Sequence, residues 1–369
     1  MNPGLYIHVP FCKTKCPYCD FYSVTSLSPV TGWIEALRKE VSLYKDRFTP
    51  FDTVYLGGGT PTLLSGQELE ELIHCLHDHF SISAGAEFTM EANPDDITPG
   101  KLSVLRDLGV NRISLGVQSF DDQELQFLKR RHSASQAKKA IGWIKESGFP
   151  KVGLDLMYGL PGQTQSQWLR SLEQAVEFNP EHVSCYELTV EEHTPLGNMY
   201  KDGKIKPLGE EEERSFFILT STFLEEKRYF HYEISNFAMG KENLCRHNLK
   251  YWQHAPYLGL GPSAHSYRDG LRWWNHRSVE TYCLTLSQGL PPVAGAETLS
   301  ENQHHLERLM LGFRTREGVS LDEIRNCPQA DSILRQLIDS GLVVLKGNRI
   351  NPTLDGYLVA DTLPFLLAG

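Results

Sequence analysis

No stretch of this sequence approaches the ~18 consecutive apolar residues that a membrane-spanning helix needs. Its opening, Met1-Asn2-Pro3-Gly4-Leu5-Tyr6, has neither a basic segment nor a long apolar one, so a secretory signal is not expected. The C-terminus has no prenylation box. Bulk basic charge is also missing. Lys and Arg total 36 against 46 Asp and Glu, for a net charge of −10, which argues against a DNA coat or a polybasic membrane binder but leaves room for a local basic patch. Eight cysteines in 369 residues are too few for a disulfide scaffold. These absences together point to the cytoplasm, where thiols stay reduced and crowded cysteines hold metal rather than bridges.

The composition fits a folded chain with a large core, being 40% apolar and 22% charged. At roughly 150 residues per domain, the length suggests two or three domains. Residues 1–190 alternate short β-type runs with helical ones. Strands are expected at Leu5–Val9, Thr53–Leu56, Glu87–Met90, Arg112–Leu115, Val152–Leu156 and His182–Leu188. Between them lie helix signals: Ser28-Pro29 opening a helix to about Phe48, Ser65 opening one to Phe80, Thr98-Pro99, Ser135 to Ser147, and Thr164 to Phe178. Such alternation predicts a parallel sheet with helical crossovers, and six units fall short of the eight of a closed barrel. Residues 191–300 form a looser segment rich in Trp, Tyr, His and Gly after a charged helix at Glu210–Lys227. Residues 301–369 read as helices at Glu301–Arg314, Leu321–Asn326 and Ser332–Ser340, followed by a hairpin around Gly347-Asn348, which together suggest a winged-helix-like cap. Acids outnumber bases there by nine to seven, so a cap or docking role is expected rather than nucleic-acid binding.

Three features carry chemistry. Cys12-Lys13-Thr14-Lys15-Cys16-Pro17-Tyr18-Cys19 follows the first strand with CxxxCxxC spacing. Three thiolates on one loop can hold three irons of a cubane and leave the fourth open to a small molecule. The same loop also suits zinc held with a histidine such as His8, or three unrelated thiols. Gly57-Gly58-Gly59-Thr60-Pro61 ends the second strand, and its bare backbone lets a ligand come close. It is not a GxGxxG loop and implies no dinucleotide. The third feature is positional, because parallel βα folds gather ligands at the C-terminal ends of their strands. Those ends bring together the Cys loop, the glycines, Glu91, Gln118, Asp155 and Tyr186-Glu187. Glu91 and Asp155 suit ribose hydroxyls or an ammonium group, and Gln118 both donates and accepts. Arg130 sits in the basic run Lys129-Arg130-Arg131.

The Cys motif with Tyr18 before its last cysteine, followed by the GGGTP turn, resembles the radical S-adenosylmethionine superfamily. Tyr6-Ile7-His8-Val9-Pro10-Phe11-Cys12, Leu115-Gly116-Val117-Gln118-Ser119-Phe120 and Asp155-Leu156-Met157-Tyr158-Gly159-Leu160-Pro161-Gly162 resemble the branch of oxygen-independent coproporphyrinogen III oxidases and heme chaperones in porphyrin biosynthesis. The resemblance covers most of the chain. It implies an α/β fold, a partial (β/α)6 barrel, with Cys12, Cys16 and Cys19 on a [4Fe–4S] cluster whose open iron takes the amino and carboxylate groups of S-adenosylmethionine. Tyr6 and Tyr18 would pack near that cofactor, Gly58, Gly59 and Thr60 would meet its methionine moiety, and Glu91, Gln118, Arg130 and Asp155 match further contact positions.

Within this branch the oxidases resemble CxxxCxxCxC, whereas Phe21 stands at the place of the extra cysteine here, and only four residues precede the first strand. Both departures favour the heme-chaperone side, with coproporphyrinogen III decarboxylation as the alternative. His247-Asn248-Leu249-Lys250-Tyr251-Trp252 matches the HNxxYW motif of those chaperones. An imidazole can ligate heme iron, and Tyr251 and Trp252 can pack on a porphyrin face. His265 is a second candidate ligand and Cys245 a third, although such aromatics also pack domain junctions. The expected partners are heme and recipient hemoproteins, including membrane-bound ones, without nucleic acid. Cys75, Cys185, Cys283 and Cys327 are expected as buried structural thiols.

Overall fold

The structure, a computed structural model, describes residues 1–45, 47–325 and 329–367. Six strands alternate with helices along the first half: β1 (Gly4–Val9), α1 (Val30–Leu43), β2 (Phe51–Gly58), α2 (Gly66–His79), β3 (Ile82–Ala92), α3 (Pro99–Asp107), β4 (Arg112–Gln118), α4 (Asp122–Phe127), α5 (Ala134–Glu146), β5 (Lys151–Tyr158), α6 (Gln165–Glu177) and β6 (His182–Glu187). β1 to β6 lie side by side in chain order, every pair parallel. Helical crossovers cover one face of this sheet, where Leu5, Ile7 and Val9 of β1 and Val152, Leu154 and Leu156 of β5 enter the core, while the alternate positions Tyr6, His8 and Asp155 turn to the other face.

Short polar signals set the helix starts. Ser65 with Glu68, Ser133 with Gln136 and Thr164 with Gln167 each close a reciprocal capping box, satisfying two orphan backbone donors. Thr98 caps α3 ahead of Pro99. Ser28 does not cap α1. Its hydroxyl pairs with Ser26, and Pro29 occupies the cap position. Nor does α1 run on to Phe48. Tyr44 leaves the helix to stack on Trp273, and Phe48 packs tilted on the same indole, so a distant strand decides where the helix stops.

Both edges of this parallel core are extended. After α7 (Pro195–Lys201) and α8 (Glu210–Glu226), β7 (Phe230–Glu233) and β8 (Asn236–Ala238) add antiparallel beside β6. After α9 (Arg246–Trp252), β9 (Tyr257–Leu260) pairs parallel with β1 and continues into β10 (His265–Arg268), β11 (Leu271–Asn275), α10 (Val279–Ser287) and β12 (Val293–Thr298). The resulting sheet has twelve strands, with β12 and β7 at its ends, and does not close into a barrel among the described residues.

The rest of the described chain forms α11 (Glu301–Gly312), β13 (Val319–Ser320), α12 (Ala330–Asp339), β14 (Val343–Lys346), β15 (Arg349–Pro352), α13 (Leu354–Leu358) and α14 (Leu363–Leu367). Its three-stranded sheet runs β13-β15-β14, giving the winged-helix-like order of helix, strand, helix and hairpin. This unit has its own core around Phe313, Leu337 and Ile350, and backbone bonds from Ile234 to Arg314 and from Arg316 to Tyr232 fasten it to β7. Among the described residues no helix is long and apolar enough to cross a membrane. Cys75 and Cys185 are buried and Cys283 is half-buried, while Cys327 and the expected helix end at Asn326 lie outside the described residues.

α6 and α8 meet where the fully buried Trp168 donates its indole N–H to Thr220 at 2.7 Å. Trp168→Ala leaves a cavity and removes the donor to Thr220, whose hydroxyl keeps only its bond to Phe216 O, and is expected to cost about 3–5 kcal/mol. Urea unfolding followed by circular dichroism should show the midpoint moving down accordingly.

Candidate functional site

The C-terminal ends of β1 to β6 open into a cavity of about 1120 Å³. Cys12, Cys16, Cys19, Tyr6, Tyr18, Gly58, Gly59, Thr60, Glu91, Gln118, Arg130 and Asp155 all line it. The parallel register places them there. Val9 pairs with Gly58, Glu91 with Ser114, and Asp155 with both Gly116 and Ser184, so each strand delivers one polar group to the same rim.

The glycine turn is tied to the Cys loop by its backbone. Gly59 N–H donates to Val9 O at 2.8 Å and Thr60 N–H to Phe11 O at 2.7 Å. A Cβ on Gly59 would come within 2.6 Å of the Val9 carbonyl, and one on Gly58, where φ is +98°, within 2.4 Å of the His8 ring. Larger residues would push the two loops apart.

A chain of hydrogen bonds joins two of the sulfurs. The Thr60 hydroxyl donates to Cys12 Sγ at 3.5 Å, and Asn93 Nδ2 donates to Thr60 Oγ1 at 2.9 Å. Arg130 donates to Asn93 Oδ1, to Gly116 O at 2.8 Å and to Cys16 Sγ at 3.6 Å. Burial pushes the Cys12 thiol up, and the Thr60 bond opposes it. Burial pushes Cys19 up to about 11, against the Phe21 backbone bond. Donors aimed at buried sulfurs suit thiolates whose charge a metal neutralises.

His8 is not free to complete a site with the three motif cysteines. Both ring nitrogens of His8 are engaged, Nδ1 with the Tyr6 hydroxyl at 3.0 Å and Nε2 with Tyr22 O at 2.8 Å.

Deeper in the cavity stand two carboxyls. Glu91 accepts from the Tyr55 hydroxyl at 2.8 Å and from Gly58 N–H at 3.0 Å, and burial raises it to about 7. Asp155 accepts from Ser114 at 3.1 Å, and burial raises it to about 6, against bonds from Ser184 and Ser114. Gln118 adopts a left-handed backbone, with φ of 66°, and its buried Oε1 has no hydrogen-bond partner among the described residues. An unsatisfied acceptor, two raised carboxyls and an exposed backbone turn fit a polar, positively charged ligand. Tyr18 packs against the small apolar cluster of Leu128, Met157 and Leu160.

The HNxxYW segment divides. Tyr251 reaches the cavity; His247 and Trp252 do not line it. His247 is 1% exposed. Its Nδ1 meets Thr53 Oγ1 at 2.9 Å and its Nε2 meets the Tyr251 hydroxyl at 2.9 Å, while burial drives it down to about 3. As folded, this imidazole has no free lone pair for iron. Its tight packing between β2 and Tyr251 is the physical reason that the expected ligand is displaced. Cys245 lines the cavity, but its thiol meets Glu87 at 3.8 Å and burial pushes it up to about 12. His265 also lines the cavity and is exposed. Asn93, Tyr55 and Ser114 were missed by the sequence reading. Asn93 lies two residues past Glu91 and Ser114 sits mid-strand, and nothing in their local sequence marks them.

Residues 6–175 match the family model described as the radical SAM superfamily, and residues 299–359 match the HemN C-terminal domain. A protein of Mycobacterium tuberculosis named heme chaperone HemW is 37% identical over 99% of this chain and 95% of its own length. The Bacillus subtilis protein of that name is 35% identical over 96% of both. The Escherichia coli one is 37% identical over 71% of this chain and 69% of its own length. The solved structure of E. coli coproporphyrinogen III oxidase (HemN), titled a radical SAM enzyme, superposes with a TM-score of 0.85 over 100% of this chain and 90% of its own, at 22% identity, a likeness of fold alone.

Both carboxyls keep a proton in the folded chain that the unfolded chain would release. Their stabilising effect is complete below the ordinary carboxyl range and is lost as pH rises through about 6 for Asp155 and about 7 for Glu91. The cofactor-free protein should therefore melt earlier at pH 7 than at pH 5 on their account. Glu91→Gln is expected to shrink that difference in melting temperature, measured by scanning calorimetry at both pH values.

Proposed function

Because the chain belongs to the HemW family of the radical SAM superfamily, we propose that it is a heme chaperone that binds heme and delivers it to recipient hemoproteins, including membrane-bound ones. The single observation that carries this reading is near-full-length identity to proteins of that name, joined to a cavity built around the three motif cysteines. Phe21, at the position of the oxidases' extra cysteine, is 67% exposed and lines the same cavity.

In this reading Cys12, Cys16 and Cys19 would hold a [4Fe–4S] cluster, with Thr60 and Arg130 donating to the sulfurs. Tyr6, Tyr18, Gly58, Gly59, Glu91, Gln118 and Asp155 would bind and orient S-adenosylmethionine. The pair, when bound, supplies one-electron chemistry. The chain's own residues supply the rest. The glycine turn admits the ligand, Glu91 and Asp155 meet its positive charge, and the half-buried Tyr55 and Tyr6 line the wall beside them. Residues 1–190 would form the cofactor-binding unit, 191–300 an aromatic extension and 301–369 a cap.

A second reading, oxygen-independent decarboxylation of coproporphyrinogen III, draws on the fold shared with that oxidase. The tests separate the two. Protein purified without oxygen and reconstituted should carry about four irons and four sulfides, and Cys16→Ala should lose them. A colourless protein carrying zinc would contradict both readings. Saturable binding of hemin without release of CO2 from coproporphyrinogen supports the chaperone; turnover without heme binding supports the oxidase.

A further inference from the structure

Heme offers a flat apolar disc, an iron with open axial positions and two carboxylates at its rim. A protein that holds it needs a neutral imidazole with a free lone pair, a ring against the disc and a cation for a carboxylate. The motif histidine His247 fails the first requirement, since both of its nitrogens are bonded and it lies outside the cavity wall.

Resting on the heme-chaperone reading, we propose that His265 at the cavity mouth ligates the heme iron, that Trp274 backs its ring, and that Arg277 takes a heme carboxylate. His265 is exposed, lines the cavity and makes no side-chain hydrogen bond among the described residues. It stands opposite Trp274 in the β10–β11 pair, the two rings stacked 6.0 Å apart at 28°. The indole lies over Gly295 of β12, where a Cβ would come within 2.5 Å of it, so only a bare backbone leaves room for this platform.

The turn before His265 is pinned from behind. The buried Glu40 accepts from Gly261 N–H at 2.8 Å and also from Asn275 and Tyr282, and Asn275 in turn donates to Gly261 O at 2.9 Å. Arg277 lines the same cavity with its side chain 64% exposed, donating to Asp20 O at 3.3 Å and lying 3.9 Å from the exposed Asp20 carboxylate, a loose pair that a heme carboxylate can displace. Exposed Phe21 faces the cavity from the Cys loop and offers a second apolar surface.

The test is an anaerobic hemin titration of the reconstituted full chain, read by visible absorption and by the electron paramagnetic resonance signature of an imidazole-ligated iron. The wild type should bind saturably. His265→Ala should bind at least about tenfold more weakly and lose the imidazole signature, and free imidazole should restore it. His247→Gln should keep both affinity and signature. Wild-type affinity and signature in His265→Ala would overturn the assignment. So would a loss that imidazole does not rescue, or one that follows His247→Gln instead. A wild type that binds no heme would defeat the chaperone reading itself, and this assignment with it.

Discussion

Everything at the site depends on the parallel register of β1 to β6. Parallel strands all point the same way, so residues at six separate places in the chain end on one rim. Asp155 is set beside Ser184 and Gly116, and Val9 beside Gly58. Because side chains alternate between faces, a slip of one residue would turn Glu91 or Asp155 away from the cavity. The apolar face packed against the helices makes such a slip costly, because it would turn Leu5, Ile7 and Val9 out of the core. The core that stabilises the fold is thus also what aims its polar groups.

The second constraint is desolvation. The cavity floor collects carboxyls and thiols that burial pushes toward their neutral forms, and Arg130 is already committed to Cys16, Asn93 and the Gly116 carbonyl. Neither Glu91 nor Asp155 is ion-paired with a side chain among the described residues, so a ligand that brings positive charge complements them. Cluster irons and an S-adenosylmethionine sulfonium and ammonium would do so, which is why the proposed cofactors fit this chemistry.

Much of this could be read from the sequence, because the signals were local. Ser65 and Thr164 each occupy a cap whose partner lies three residues on, and the CxxxCxxC loop and the glycine turn are contiguous strings, whereas α5 is capped by Ser133, two residues ahead of the expected start at Ser135. What could not be read was set by tertiary packing. Trp273, more than 200 residues away, helps to end α1 at Leu43. Asn93 matters only because folding brings Thr60 and Arg130 to either side of it. The HNxxYW motif marked the right neighbourhood, yet the burial of His247 against Thr53 depends on a strand that the motif does not contain. The edge strands β9 to β12 carry aromatics where alternation is broken by turns, so their pairing showed only in the fold.

The central claim is that the chain carries heme in order to release it to another protein. The most direct measurement is the transfer of heme from the loaded chain to an apo-hemoprotein, followed as growth of the acceptor's holo spectrum beside a control supplied with free heme. The account predicts that the acceptor fills as the loaded chain empties, at a rate set by the two proteins' encounter. Heme that stays bound, or an acceptor that fills no differently from the free-heme control, would contradict it.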